Sequence, residues 1–469
     1  MTVFDWSLHP LAENYLIQIV SGFLENNDAA RKISEKMQME TATQFFDWID
    51  HVSLPADRVD SENLIELGFH ENEKVAKEKG TKVYALSEST LFPLILTDIK
   101  ETKLALKPES LDHFLQMNHS YYNWPSVKGP VDYRARSVYD VEGERNGPYR
   151  KALVNQQGNY ELWAVERRGF DGFKIPRSSG DIEEYLMNLQ EFMTRRRKFN
   201  QDTEGLQALI ENIKLFCRGS SSAKVTDAFF RAERLYWQNR DQGGQIQKAF
   251  QDRLGLGWGN HDHHAYRSSR ENFHLLIELF ETMGFEPREQ FFAGPTAGWG
   301  AQVLEHPICG ITIFADVDIT EEERSRDFAH DSMAAISKLG TVGLWVALHG
   351  ESMLQAGMHH LAARVDFSQA RSALEARGIQ TLTPFSDFHF LKQLFTESER
   401  RHVEPSRLEN TLGVGRLTKE QSGLFKNKGA ISSHLEIIQR SEGFKGFNQD
   451  SVSVIIKETD PRTSGSRNA

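Results

Sequence analysis

Three stretches of this chain run through one order of elements: a strand carrying a histidine, an amphipathic helix, a glycine that closes it, then further strands. A unit that cannot bury its own apolar face must pair or stack with a copy, so such a repeat limits the chain to few architectures. The first unit opens at Trp48-Ile49-Asp50-His51-Val52-Ser53-Leu54. Its short helix ends at Leu67-Gly68-Phe69, where glycine suits a helix C-terminus, and strands follow at 82–86 and 92–96. Leu104-Ala105-Leu106 reads as a fourth strand. The second opens at His263 to Tyr266. Phe273, Leu276, Ile277, Phe280 and Met283 then recur at helical spacing, Gly284 closes the helix, and strands follow at 290–292 and 311–314. The third starts near Val342. Its opening strand is His359 to Val365, Gly378 closes its helix, and strands follow from Gln380 and Ile431.

Helices are expected over 1–46, where Leu16, Ile17, Val20, Phe23 and Leu24 keep helical spacing, and over most of 181–256. The resulting layout has an N-terminal α+β part at 1–180 with a degenerate copy of the unit. A helical connecting segment covers 181–256, and paired units cover 257–469. With 469 residues, 39% of them apolar, a sizeable core is available. A net charge of −11 repels phosphate backbones, so nucleic acid is a poor partner. Two cysteines cannot build a disulfide framework. The N-terminus lacks a basic and then apolar leader, and no window of 18 apolar residues occurs. The expectation is a soluble cytoplasmic protein with no membrane partner.

The densest chemistry lies in His261-Asp262-His263-His264-Ala265-Tyr266-Arg267, just before the clearest helix. Two histidines and one carboxylate on rigid strands can hold Fe(II) on one face and leave positions open for substrate and oxygen. His263 and His360, on the opening strands of two units, and Glu436, on a late strand, would converge inside a paired half-barrel. Arg267 would hold a substrate carboxylate. In a strand, alternate residues share a face, so His261 points with His263 and is the fallback ligand, while His264 points away. The same alternation lets only one of His359 and His360 face the site. Arg364 lies on the His360 face and would add positive charge for an anionic substrate, or sit in a surface salt bridge. Glu436 between Leu435 and Ile437 alternates outward, as an ordinary solvated residue would. His51 is better read as structural, although His113 and His119 follow at a distance that would suit a second site. Trp299 and the run 294–300 could form a loop over the pocket. That run lacks the spacing of a phosphate-binding loop.

The repeated unit resembles the βαβββ module of the vicinal oxygen chelate superfamily, whose paired modules cup a divalent metal. Residues 261–310 resemble more specifically the 2-oxoadipate dioxygenase/decarboxylase family. The likeness rests on His263-His-Ala-Tyr-Arg267, then Glu271-Asn-Phe-His-Leu-Leu-Ile-Glu-Leu-Phe-Glu-Thr-Met-Gly-Phe-Glu-Pro287, His359-His360-Leu-Ala-Ala-Arg364 and His434-Leu-Glu436-Ile-Ile-Gln-Arg440. It implies an α+β fold of such modules in a half-barrel around a metal, with additional helices. It also implies Fe(II) at His263, His360 and Glu436, and Arg267 on the far carboxylate of a 2-oxo acid. With O2, that acid would lose CO2 and become a 2-hydroxy acid. The alternatives are another metal-dependent reaction of the superfamily (ring-cleaving dioxygenation, isomerisation or lyase chemistry) or a non-catalytic protein that binds a small ligand. Mn, Zn and Ni remain alternatives to Fe.

Overall fold

A computed structural model of the chain describes residues 6–448 and 459–462, apart from 74, 76–80, 87–89, 99, 122–140, 177–180 and 294–297. Strands β1 (Ile49–Pro55), β2 (His70–Glu71), β3 (Val83–Ala85), β4 (Leu94–Asp98), β5 (Thr102–Leu106), β6 (Val141–Glu142), β7 (Tyr149–Gln157) and β8 (Tyr160–Arg167) form one curled sheet. Their spatial order is β2-β3-β4-β1-β5-β8-β7-β6. A second sheet contains β9 (His261–Arg267), β10 (Glu286–Phe292), β11 (Trp299–His306), β12 (Ile311–Asp318), β13 (His360–Arg364), β14 (Ser386–Asp387) and β15 (Leu391–Phe395). A short ribbon of β16 (Arg400–Arg401) and β17 (Ala430–Ile431) follows, and β18 (His434–Arg440) completes the sheet. Its order, β10-β11-β12-β9-β13-β18-β15-β14, repeats the first strand for strand.

Helices α1 (Pro10–Asn26), α2 (Asp28–Lys36), α3 (Ser61–Glu66) and α4 (Leu111–Met117) belong to the N-terminal half. Four more, α5 (Asp181–Thr194), α6 (Asp202–Gly219), α7 (Ser222–Gln238) and α8 (Gln242–Asp252), make up the helical segment. The C-terminal half adds α9 (Phe273–Thr282), α10 (Thr341–His349), α11 (Phe367–Glu375), α12 (Pro405–Gly413) and α13 (Lys419–Lys428). Each sheet is therefore two strand–helix–three-strand units, led by β1, β5, β9 and β13. The class is α+β, built from βαβββ modules as expected. There are four units where the sequence reading counts three. The unit led by β5 escapes because Leu104-Ala105-Leu106 reads as the tail of the first. Its helix α4 spans only seven residues, and β6 only two. Strand β11 also escapes: it is buried along nearly its whole length, so it carries no alternation of apolar and polar residues.

The strands that open the units lie at the centre of each sheet. In the C-terminal sheet β9 pairs antiparallel with β13, placing His263 opposite Ala362 and His360 opposite Ala265. Strand β18 runs parallel to β13, with His360 beside His434 and Ala362 beside Glu436. Residues directly opposite share a face, so His263, His360, Glu436 and Arg267 all stand on one side of the sheet. The other side packs on α7. Phe230 meets Tyr266 at 6.2 Å and Phe285 at 5.5 Å between ring centroids, and fully burying such a side chain contributes roughly 1.5–3 kcal/mol. Gly284, at φ +92°, ends α9 in the left-handed conformation that glycine adopts without steric cost. No helix among the described residues is long and apolar enough to cross a membrane.

Candidate metal centre

Strand alternation alone would put His261 beside His263. Between Ala362 and Ala363 the pairing instead skips Asp262, so β9 carries a bulge there. A bulge adds one residue to one strand and re-aims the side chains on either side of it. His261 consequently turns to the face of His264, their rings 5.2 Å apart, and does not border the cavity that His263 enters. The fallback ligand is thereby removed. The bulge also brings Asp262 round to its neighbour: its Oδ1 lies 2.9 Å from His263 Nδ1. Arg440, four residues beyond Glu436 on β18, grips the same carboxylate through Nε at 2.8 Å and Nη2 at 3.0 Å. Arg440 Nη1 donates to the carbonyls of Phe444 and Gly446, which fixes the turn after β18. The His263 ring is thus held by a buried carboxylate and arginine, leaving Nε2 to face inward.

The Nε2 atoms of His263 and His360 are 3.2 Å apart, and Glu436 Oε2 lies 3.1 Å from the first and 3.2 Å from the second. A cation with bonds of about 2.1 Å spaces its ligand atoms about 3.0 Å apart on an octahedral face and about 3.4 Å apart in a tetrahedron. The triangle has the size of either. Three lone-pair donors brought this close, all buried, repel one another unless a cation or a shared proton sits among them. These three residues could hold a metal ion. Gln393 Nε2 donates to Glu436 Oε1 at 2.8 Å, holding the carboxylate in place.

Electrostatics agree with this arrangement. Burial pushes the Glu436 carboxyl up, but the imidazoles of His263 and His360 outweigh it and hold the group well below the ordinary carboxylate range. Burial alone would push His263 down. Glu436 and Asp262 raise it instead to about 9. His360 has no such second carboxylate, and burial leaves it below its usual value despite Glu436.

A second grouping, His359, His360 and His434, also converges. It holds no carboxylate to offset a dication, and His434 Nδ1 is engaged by Ser398 Oγ at 3.1 Å. Burial pushes both His359 and His434 well below the usual histidine value. The expectation that only one of His359 and His360 faces the site does not hold. His359 precedes β13, where strand alternation no longer applies, and both border the cavity.

That cavity, of about 70 Å³, is walled by Phe291, Trp299, Phe314, Phe385, Phe395 and Phe447, and the three convergent groups border it. Arg267 lines it too. The guanidinium is buried 5.5 Å from the Trp345 ring, and its Nε and Nη1 make no hydrogen bond within the described residues. Asp316, across β12, approaches Arg267 Nε only to 3.9 Å. Burial lowers Arg267 to about 10 and raises Asp316 to about 7. Arg364, by contrast, lies outside the cavity. It sits at the far end of β13, where its backbone carbonyl accepts from Asn260, and its charge acts on Asp47, Lys107 and His261. Trp299 borders the cavity, whereas 294–297 of the run before it lie outside the described residues. His113 and His119 do not join His51; the carboxylate at His51 is the adjacent Asp50.

Periodicity singles out none of Asp262, Arg440, Gln393, Asp316 and Phe447. One signal does reach two of them. Gly169-Phe-Asp-Gly-Phe173 follows β8, and Gly443-Phe-Lys-Gly-Phe447 follows β18. This five-residue repeat marks equivalent ends of the two sheets, beginning two residues after Arg167 and three after Arg440.

No family model and no curated protein matches the chain. Among solved structures, a putative hydrolase from Shewanella frigidimarina aligns at TM-score 0.29 and 14% identity, over 54% of this chain and 100% of that one. A mutant of 4-hydroxymandelate synthase from Streptomyces coelicolor aligns at 0.27 and 12%, over 88% and 98%. Methylmalonyl-CoA epimerase from Mycobacterium tuberculosis aligns at 0.23 and 13%, over 39% and 89%. At these scores the likenesses carry no weight for function.

Proposed function

We propose that the chain is a metal-dependent enzyme acting on a small organic acid in the cavity of the C-terminal half. The observation that carries this reading is the triangle of His263 Nε2, His360 Nε2 and Glu436 Oε2, in one cavity with a buried arginine whose Nε and Nη1 make no hydrogen bond among the described residues. Within that class we favour an Fe(II)-dependent dioxygenase/decarboxylase that converts a 2-oxo acid resembling 2-oxoadipate to a 2-hydroxy acid with loss of CO2. Two histidines and one carboxylate on one face, with open positions, suit Fe(II) and oxygen chemistry. The ion, when bound, supplies Lewis acidity and the redox step with O2.

The chain's own groups bind, orient and exclude water. Arg267 offers a planar fork to the substrate carboxylate remote from the metal, where low dielectric strengthens the pair. The aromatic walls keep the aliphatic part of the acid dry. Asp262 and Arg440 fix the His263 tautomer, and Gln393 fixes Glu436.

A second reading within the class has its own support. Asp316 lines the same cavity, and burial raises its carboxyl to about 7, close to what a general base needs at neutral pH. Proton abstraction beside a metal-polarised carbonyl would make the chain an isomerase or lyase.

The test begins with metal content after anaerobic Fe(II) loading of wild type, His263→Ala, His360→Ala and Glu436→Gln. About one ion per chain, lost in each variant, is expected for a single three-ligand site. Oxygen uptake and CO2 release are then followed with 2-oxo acids. Substrate-proton exchange with solvent, without oxygen uptake, would move the assignment to the second reading. Equal metal in all four proteins would overturn the site, and no metal or turnover would leave a small-ligand-binding protein.

A further inference from the structure

The N-terminal sheet repeats the scaffold of the metal centre around different residues. Asp50 stands on a bulge of β1, as Asp262 does on β9: pairing with β5 shifts between Ile49 and His51. His51 Nδ1 lies 2.8 Å from Asp50 Oδ2, and Arg167 grips Asp50 through Nε and Nη2, each at 2.8 Å. Arg167 Nη1 reaches the carbonyls of Phe170 and Gly172, as Arg440 reaches those of Phe444 and Gly446. Phe173 meets the His51 ring edge-on at 4.9 Å, as Phe447 meets His263 at 5.4 Å.

The registers give the counterparts of the other two groups. Ala105 is beside Trp163 on β8, as Ala362 is beside Glu436 on β18. Trp163 therefore occupies the place of Glu436, and Lys103, two residues before Ala105, that of His360. A tryptophan and a lysine cannot complete a metal site, because neither offers a lone pair at neutral pH. The ring orientation of His51 is nevertheless kept by the same three-residue clamp.

A cavity of about 110 Å³ lies over these positions. His51, Ser53, Lys103, Lys151 and Trp163 line it, Phe173 closes one side, and no carboxylate borders it among the described residues. Lys103 Nζ is 3.8 Å from Glu161 Oε2, which also accepts from Trp163 Nε1 at 2.8 Å, and Lys151 Nζ is 3.3 Å from Glu142. Lys151 also lies 5.4 Å from the Trp163 ring. The lysines are on β5 and β7, facing Glu161 and Val165 of β8, so they stand about 10 Å apart across the sheet and about 13 Å apart along it, with Trp163 between them. Two cations flanking an aromatic floor suit an anion with charge at both ends and an apolar middle.

We infer that the N-terminal cavity is a metal-free binding site for a small aliphatic dicarboxylate, held by Lys103 and Lys151 over Trp163. Hydroxyls of Ser53 and Thr81 supply further donors. This site is independent of the metal and of the reaction proposed for the C-terminal half.

The experiment is calorimetric titration of the full chain with glutarate at low ionic strength, using glutaramide and inorganic phosphate as comparison probes. Arg267→Met, placed in the other cavity, isolates the N-terminal event. In that background one glutarate should bind per chain. Lys103→Met or Lys151→Met should weaken it about ten- to hundredfold, as expected for loss of one charge-assisted hydrogen bond. Lys103→Arg should keep it, and glutaramide and phosphate should bind far more weakly. Thermal melts matching Arg267→Met exclude misfolding as the cause. Glutarate binding that survives both methionine substitutions, or that vanishes in Arg267→Met alone, would overturn the assignment. So would phosphate binding as tightly as glutarate, because the apolar floor would then play no part.

Discussion

Asp262→Asn separates a clamp that orients a ligand from a clamp that merely fills space. The substitution keeps the shape of the side chain and removes its charge. Asp262 and Arg440 are both buried, and their two hydrogen bonds are 2.8 and 3.0 Å long. Taking the charge from one member of such a pair leaves the other buried and uncompensated, which costs about 3–5 kcal/mol. Arg440 retains the carbonyls of Phe444 and Gly446, so the lower end of that range is expected in denaturant unfolding of the metal-free protein. Removing a group that orients a metal-binding histidine weakens metal affinity by about 10- to 100-fold, or about 1.4–2.7 kcal/mol. Competition against a chromophoric chelator measures it. The N-terminal half supplies the control. Asp50→Asn breaks the equivalent pair with Arg167 and should lower stability similarly, yet leave metal affinity alone. The reasoning fails if Asp262→Asn destabilises the protein while affinity stays within about threefold of wild type, a change too small for a carboxylate that orients the His263 ring.

Arg267→Met should raise KM for an acid substrate far more than Arg267→Lys. Both should leave metal content unchanged, because Arg267 shares the cavity but is not one of the three convergent groups. Asp316→Asn should stabilise the metal-free protein at pH 8 and have little effect near pH 4. Its folded value near 7 lies above the ordinary 3.8, so the native state binds the extra proton, and stability falls as pH rises between them. The gain has an upper bound of about 4 kcal/mol, read from unfolding midpoints at the two pH values. Gly443→Ala should cost about 2 kcal/mol or more. Gly443 sits at φ +68°, and an added Cβ would stand 2.7 Å from the Phe92 ring. A melt unchanged from wild type would show that the turn after β18 relaxes freely.

Local pattern was enough to reveal the class and the repeating unit. Histidine-bearing strands, the apolar stripe from Phe273 to Met283 and the glycines that end helices are properties of short stretches, and backbone geometry reads them directly. The candidate ligands His263 and His360 could be picked out on the opening strands of two units, and Glu436 through the likeness of His434-Leu-Glu436 to a family motif. The alternation that makes Glu436 look solvated is the same alternation that points it into the cup. A curled sheet has a concave side that is neither core nor open solvent, and sequence does not distinguish that side from the surface. The remaining features come from how distant strands pair. A bulge at Asp262, set by how β9 meets β13, turns His261 away and makes Asp262 the partner of His263. Arg440 and Gln393 join the site because β18 and β15 lie alongside, and Arg364 leaves it because it stands at the wrong end of its strand. The fourth unit stayed hidden because a helix of two turns and a strand of two residues carry too few positions to show a period. These features depend on register between strands distant in the chain, and register is fixed by burying whole faces together.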